Sequence, residues 1–118
     1  MKRAIFLLFA ASFLGACSPS LDQAPPDIIL SIPTTYEDPK VIEIAVSATD
    51  DVGVTLLSLS RADDGKTFKT LKSVTTAPFA FDYTDTVTQS GTYTYRAVAE
   101  DASGKVRTTD QAVVVKLP

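Results

Sequence analysis

The sequence predicts an all-β domain of seven antiparallel strands stacked as two sheets, following an N-terminal signal peptide. Three observations point there. Beyond residue 26 the chain breaks into short segments in which apolar and polar residues alternate, the period of a strand with one buried face. Turn-forming Gly, Pro, Asp and Ser recur roughly every 8–12 residues between those segments. No segment after Pro26 repeats its apolar residues at helical spacing over a helical length. A chain of 118 residues has room for one domain, and its 45% hydrophobic content suits a chain that buries a core.

Taken in order, the first strand is expected at residues 27–32 (DIILSI), stopped by Pro33, which has no amide hydrogen for a ladder. Residues 41–48 (VIEIAVSA) alternate cleanly, with Ile42, Ile44, Val46 and Ala48 on one face and Glu43 and Ser47 on the other. Asp50-Asp51-Val52-Gly53 breaks that strand, and residues 54–61 form the next, with Leu57 and Leu59 inward. Asp63-Asp64-Gly65 marks a hairpin, because Asp and Gly tolerate the positive φ of tight turns. The return strand spans residues 66–74, with Phe68 and Leu71 as its apolar points. Residues 78–83 place Phe79, Phe81 and Tyr83 on one face, and residues 91–100 do the same for Tyr93, Tyr95, Ala97 and Ala99. Ser103-Gly104 turns the chain into a last strand at residues 107–116. Most of these strands have an apolar face to bury, and two stacked sheets bury such faces at least surface.

Two stretches resemble the closing strands of bacterial Ig-like domains: Thr76-Ala77-Pro78-Phe79-Ala80-Phe81, and the run from Gly91-Thr92-Tyr93-Thr94-Tyr95 to Asp101-Ala102-Ser103-Gly104. Ala48-Thr49-Asp50-Asp51-Val52-Gly53-Val54 resembles the B–C turn of the same family, and the penultimate strand is also similar to fibronectin type III domains. The resemblance implies an Ig-like β-sandwich for residues 27–118. It places Tyr93 at the tyrosine corner, where the hydroxyl bonds nearby backbone and fixes a crossing connection. The chain departs from antibody-type domains in having no Trp and a single Cys, and Tyr95 stands where the second cysteine is expected. Such a sandwich must rely on its core, to which Phe79, Phe81, Tyr93 and the aliphatic strand faces contribute.

Residues 1–16 read as a separate segment. Lys2 and Arg3 hold that end in the cytoplasm, and the apolar run at 4–14 is too short for a bilayer-spanning helix of about 20 residues. Leu14-Gly15-Ala16-Cys17 resembles the lipobox of bacterial lipoproteins, which implies cleavage before Cys17 and diacylation of its thiol. An ordinary secretory signal or a buried N-terminal helix would leave the lone thiol unexplained. Residues 17–26 then form a lipidated tether, which Pro25-Pro26 makes extended. By the same resemblance, Ser18 permits export to the outer membrane if the envelope is Gram-negative. The expected location is the bacterial cell envelope, with the membrane as partner through lipid on Cys17. Cleavage leaves 9 basic and 14 acidic residues, a net −5, and no electrostatic reason to bind nucleic acid.

The chain has no His and one Cys, which removes the commonest general base and the Cys–His nucleophile systems; no enzymatic role and no cofactor are expected. In Ig-like topology the loops carrying Asp50, Asp51, Glu100 and Asp101 lie at one end. Their carboxylates are a candidate Ca²⁺ site, against the plainer role of capping turns. Asp63-Asp64-Gly65-Lys66-Thr67-Phe68 resembles the Asp-box hairpin of sialidase-type propellers, but Arg61 stands in place of its Ser and no repeat follows. A plain hairpin is therefore expected. Tyr36, beside Glu37-Asp38-Pro39, is an aromatic outside the strand faces and a candidate contact. The expected function is a protein-interaction or spacer module, with strand addition to a sheet edge as the default mechanism. The alternative is a calcium- or carbohydrate-dependent surface adhesin. Expected partners are another envelope protein or a polysaccharide.

Overall fold

Strands form where alternation places them: β1 Asp27–Ser31, β2 Val41–Thr49, β3 Val54–Ala62, β4 Lys69–Val74, β5 Ala80–Thr86, β6 Gly91–Asp101 and β7 Val106–Val115. The computed structural model describes residues 24–33 and 40–118. The signal segment, Cys17, Ser18, most of the tether and Tyr36 lie outside the described residues. One sheet has the order β1-β2-β5 and the other β4-β3-β6-β7, with every neighbouring pair antiparallel. In Ig lettering this is A-B-E facing C′-C-F-G. The chain therefore changes sheets after β2, β4 and β5.

The core lies between the sheets and has two parts. Ile42, Ile44, Leu59, Tyr93 and Tyr95 fill one end with Val113 and Val115, and Val46, Leu57, Ala97 and Ala99 fill the other. Phe81 packs against both. Leu57 pairs with Ala99 and Leu59 with Ala97, so large and small side chains alternate across β3 and β6. Ile42, Leu57 and Leu59 are wholly buried. Burying side chains of this size contributes about 1.5–3 kcal/mol each.

Three details differ from the expected elements. β5 runs on to Thr86, and Val87 beyond it is buried in the core. β4 begins only at Lys69, and Phe68 does not join Leu71 in the core. Its ring packs 3.9 Å from the Arg96 guanidinium, on the outward side of β6. The cause is periodicity: Phe68 and Leu71 are three residues apart and cannot share a face of one strand. Pro26 is fully buried and its carbonyl accepts from Arg107 Nε at 2.7 Å, so the packed domain takes in the last residue of the expected tether. The Ala77–Pro78 bond between β4 and β5 is cis.

Candidate functional site

The longer β5 has a chemical consequence. Continuing the inward row of Phe81 and Tyr83 by two residues brings Asp85 into the interior, where it is 6% exposed. A buried carboxylate is costly unless paired and hydrogen-bonded. Asp85 Oδ2 accepts from the Tyr95 hydroxyl at 2.6 Å and from Arg61 Nη1 at 2.8 Å. Arg61 Nε in turn donates to Asp63 Oδ1 at 2.8 Å, and its guanidinium lies 5.4 Å from the centre of the Tyr93 ring. Burial and then the bond to Asp85 push the Tyr95 hydroxyl well above its usual range of acidity. For Arg61, burial alone would lower the pKa, and the bonds to Asp85 and Asp63 outweigh it and raise it. Arg61 and Tyr95 belong to one sheet and Asp85 to the other, so the network ties the two sheets together.

Tyr93 makes the backbone bond of a tyrosine corner: its hydroxyl donates to the Gln89 carbonyl at 2.6 Å.

At the loop end, the Ala102 amide donates to the Gly53 carbonyl at 2.9 Å, so the β2–β3 and β6–β7 loops do meet. Their carboxylates do not converge. Asp50 Oδ2 accepts from the Val52 amide at 3.0 Å, within its own turn. Asp101, 2% exposed, turns Oδ1 into the β6–β7 loop, accepting from Ser103 N at 2.9 Å, Ser103 Oγ at 2.7 Å and Lys105 N at 2.9 Å. Gly104 closes that loop at φ +89°, a conformation an L side chain rarely adopts. Glu100 lies in β6 opposite Leu56 and Val106, and Asp51 is exposed. Among the described residues, no group of three or more His, Cys, Asp or Glu is placed to hold a metal ion.

The 63–68 stretch is a hairpin turn. Asp64 Oδ1 accepts from Thr67 N at 2.7 Å and Lys66 N at 2.8 Å, and these bonds, Thr67 first, hold its carboxyl below the usual range. Asp63 is engaged by Arg61, and the Arg61 that replaces the Asp-box Ser is the residue that reaches Asp85. On the outer surface, Arg96 forms a two-pronged pair with Asp110 at 2.8 and 3.0 Å.

Sequence reasoning missed the Arg61–Asp85–Tyr95 network. The signal was present: the alternation from Phe79 continues through Asp85 to Val87, and an inward Asp demands a cation or hydroxyl partner.

Fold and site together define an Ig-like sandwich module whose main polar clusters hold the fold. More specifically, residues 31–97 match the family described as bacterial Ig domain, and the chain belongs to that family. Among solved structures, the PKD1 domain of Vibrio anguillarum Epp is 19% identical with a TM-score of 0.52, covering 83% of this chain and 100% of that one. The PKD domain of an M14-like peptidase from a Thermoplasmatales archaeon is 17% identical with a TM-score of 0.54, covering 82% and 100%. A superoxide reductase (neelaredoxin) from Ignicoccus hospitalis is 13% identical with a TM-score of 0.62, covering 75% and 80%. At these identities the likeness is one of fold alone. No curated protein sequence matches the chain significantly.

Proposed function

We propose that this protein is a lipid-anchored, non-catalytic Ig-like module of a bacterial cell envelope, serving as a protein-interaction or spacer domain. The observation that carries this reading is the use made of the polar groups. Asp85, Arg61 and Tyr95 tie the sheets, and Asp101 and Asp64 build turns. The surface and sheet edges, rather than a reactive cleft, are then the working parts. The lipobox residues at 14–17 support the anchor. With Pro26 packed in the domain, residues 18–25 span roughly 26 Å when extended, which keeps the sandwich close to its membrane.

A Cys17→Ser variant tests the anchor. Expected are loss of labelled fatty-acid incorporation and accumulation of unprocessed or soluble protein, with the melting temperature of the sandwich unchanged. A variant that is processed and membrane-bound as before overturns the anchor.

A further inference from the structure

We propose that β5 is the edge through which this domain binds, and that its occupant is an extended segment of a partner protein carrying Lys or Arg at alternate positions. This rests on the interaction-module reading above. A two-sheet sandwich has four edge strands, and each presents unpaired N–H and C=O groups unless something takes them up or disturbs them.

On one side stand β1 and β7. Arg107 Nε donates to the Pro26 carbonyl at 2.7 Å and Gln111 Nε2 to the Ile32 carbonyl at 3.4 Å, so β7 side chains take up carbonyls flanking β1 at both ends. On the other side stand β4 and β5. β4 is irregular: Leu59 pairs with Lys72 and Ser60 with Thr70, which leaves Leu71 with no opposite number. Lys72 reaches across to the other sheet, its Nζ 5.0 Å from the centre of the Phe81 ring. A bulge and a lysine turned inward both spare an edge from pairing.

β5 has no bulge, and its one inward charge, Asp85, is already paired within the domain by Arg61 and Tyr95. The strand pairs with β2 from Thr86 opposite Val41 to Ala80 opposite Ser47 with no shift of register. The Val87 amide donates to the Lys40 carbonyl at 2.9 Å and the Ala48 amide to the Phe79 carbonyl at 3.0 Å. Because successive residues turn their backbone groups to opposite sides of a strand, those two bonds set the parity. Phe81, Tyr83 and Asp85 face β2, whereas Ala80, Asp82, Thr84 and Thr86 turn N–H and C=O to the open side. Those four residues are also exposed, so their side chains lie on the outer face beside an incoming strand.

Charge selects the occupant. Asp82 pairs with Ala45 and Thr84 with Glu43, which makes Asp82 and Glu43 diagonal neighbours on that outer face. Neither carboxylate has a cationic partner among the described residues. Together with Ser31, Pro33, Ala45 and Thr84 they line a shallow depression of about 410 Å³. A second copy docking by the same edge would bring this acidic face against itself, and like charges across a strand pair are unfavourable. A strand with cationic side chains on that face meets opposite charge.

The test uses the ¹⁵N-labelled full chain in detergent micelles, titrated with a blocked peptide of about seven residues alternating lysine and valine, and with its glutamate counterpart. The lysine peptide is expected to slow amide hydrogen exchange at Ala80, Asp82, Thr84 and Thr86 by about tenfold or more at saturation, the glutamate peptide not. Thr84→Pro removes one open-side N–H without touching the β2 ladder and abolishes the protection. Asp82→Lys weakens the lysine peptide by about fivefold. Protection at β4 or the loops, with β5 amides unchanged, overturns the edge assignment and leaves the module reading standing. Slow exchange at those four amides before peptide is added means that the edge is already covered by the chain itself or a second copy, and overturns the proposal; so does failure of both peptides to bind. A photo-crosslinking residue placed in turn at Thr84, Lys72 and Ser103 in the native envelope separates the two levels. No crosslink from any position overturns the module reading itself.

Discussion

Replacing Asp85 by Ala removes the acceptor shared by the Tyr95 hydroxyl at 2.6 Å and Arg61 Nη1 at 2.8 Å. Tyr95 is wholly buried, so its hydroxyl loses its acceptor where water cannot replace it, at a cost of about 1–3 kcal/mol. Arg61 keeps Asp63, and its side chain is 22% exposed, so its loss is discounted for solvent to about 1 kcal/mol. The expected destabilisation is about 2–4 kcal/mol, or a melting temperature lower by about 10–30 °C for a domain of this size. Tyr95→Phe, which leaves Asp85 paired with Arg61, costs less, about 1.5 kcal/mol. In the double variant no orphaned hydroxyl remains, so the two losses sum to less than additivity by about 1 kcal/mol. Urea unfolding followed by tyrosine circular dichroism or fluorescence reads all four proteins, since the chain has no Trp. A melting temperature for Asp85→Ala within about 3 °C of the parent, or strictly additive losses, refutes the inter-sheet tie.

Tyr95 also predicts an alkaline limit. Its folded-state pKa lies above the ordinary value of 10.0, so its contribution is fully present below pH 10 and is lost as pH rises beyond it, when the unfolded chain ionises and the folded one resists. Stability measured from pH 8 upward should fall more steeply above pH 10 in the parent than in Tyr95→Phe; parallel curves refute this. Asp101→Ala strips three contacts from the β6–β7 loop and is expected to cost about 2–3 kcal/mol in urea unfolding. The parent's melting temperature should be the same in calcium as in EDTA; a rise specific to calcium would restore the loop carboxylates as a site.

The legible parts of the fold were those where alternation is long and uninterrupted. Ile42 to Ala48 and Tyr93 to Ala99 declare their buried faces without help, because four successive matches to a period of two leave no helical alternative. Phe68 was misplaced because its strand is short and bulged, so local hydrophobicity outweighed the count of residues to Leu71. Pro26 looked like tether because Pro-Pro is extended, yet an extended proline still has an apolar ring to bury. The Asp-rich turns were readable as turns; whether their carboxylates met in space depended on which way Asp101 folded, a matter of three hydrogen bonds that no spacing encodes. The Arg61–Asp85–Tyr95 network joins three strands from two sheets: alternation marks Asp85 as inward, but which cation and which hydroxyl meet it is set only when the sheets are stacked.

That network holds its sheets by a carboxylate, a guanidinium and a phenol, none of which takes part in thiol–disulfide exchange. The sandwich therefore needs no thiol oxidation to reach or keep its fold. Its melting temperature is expected to be the same with and without a thiol reductant.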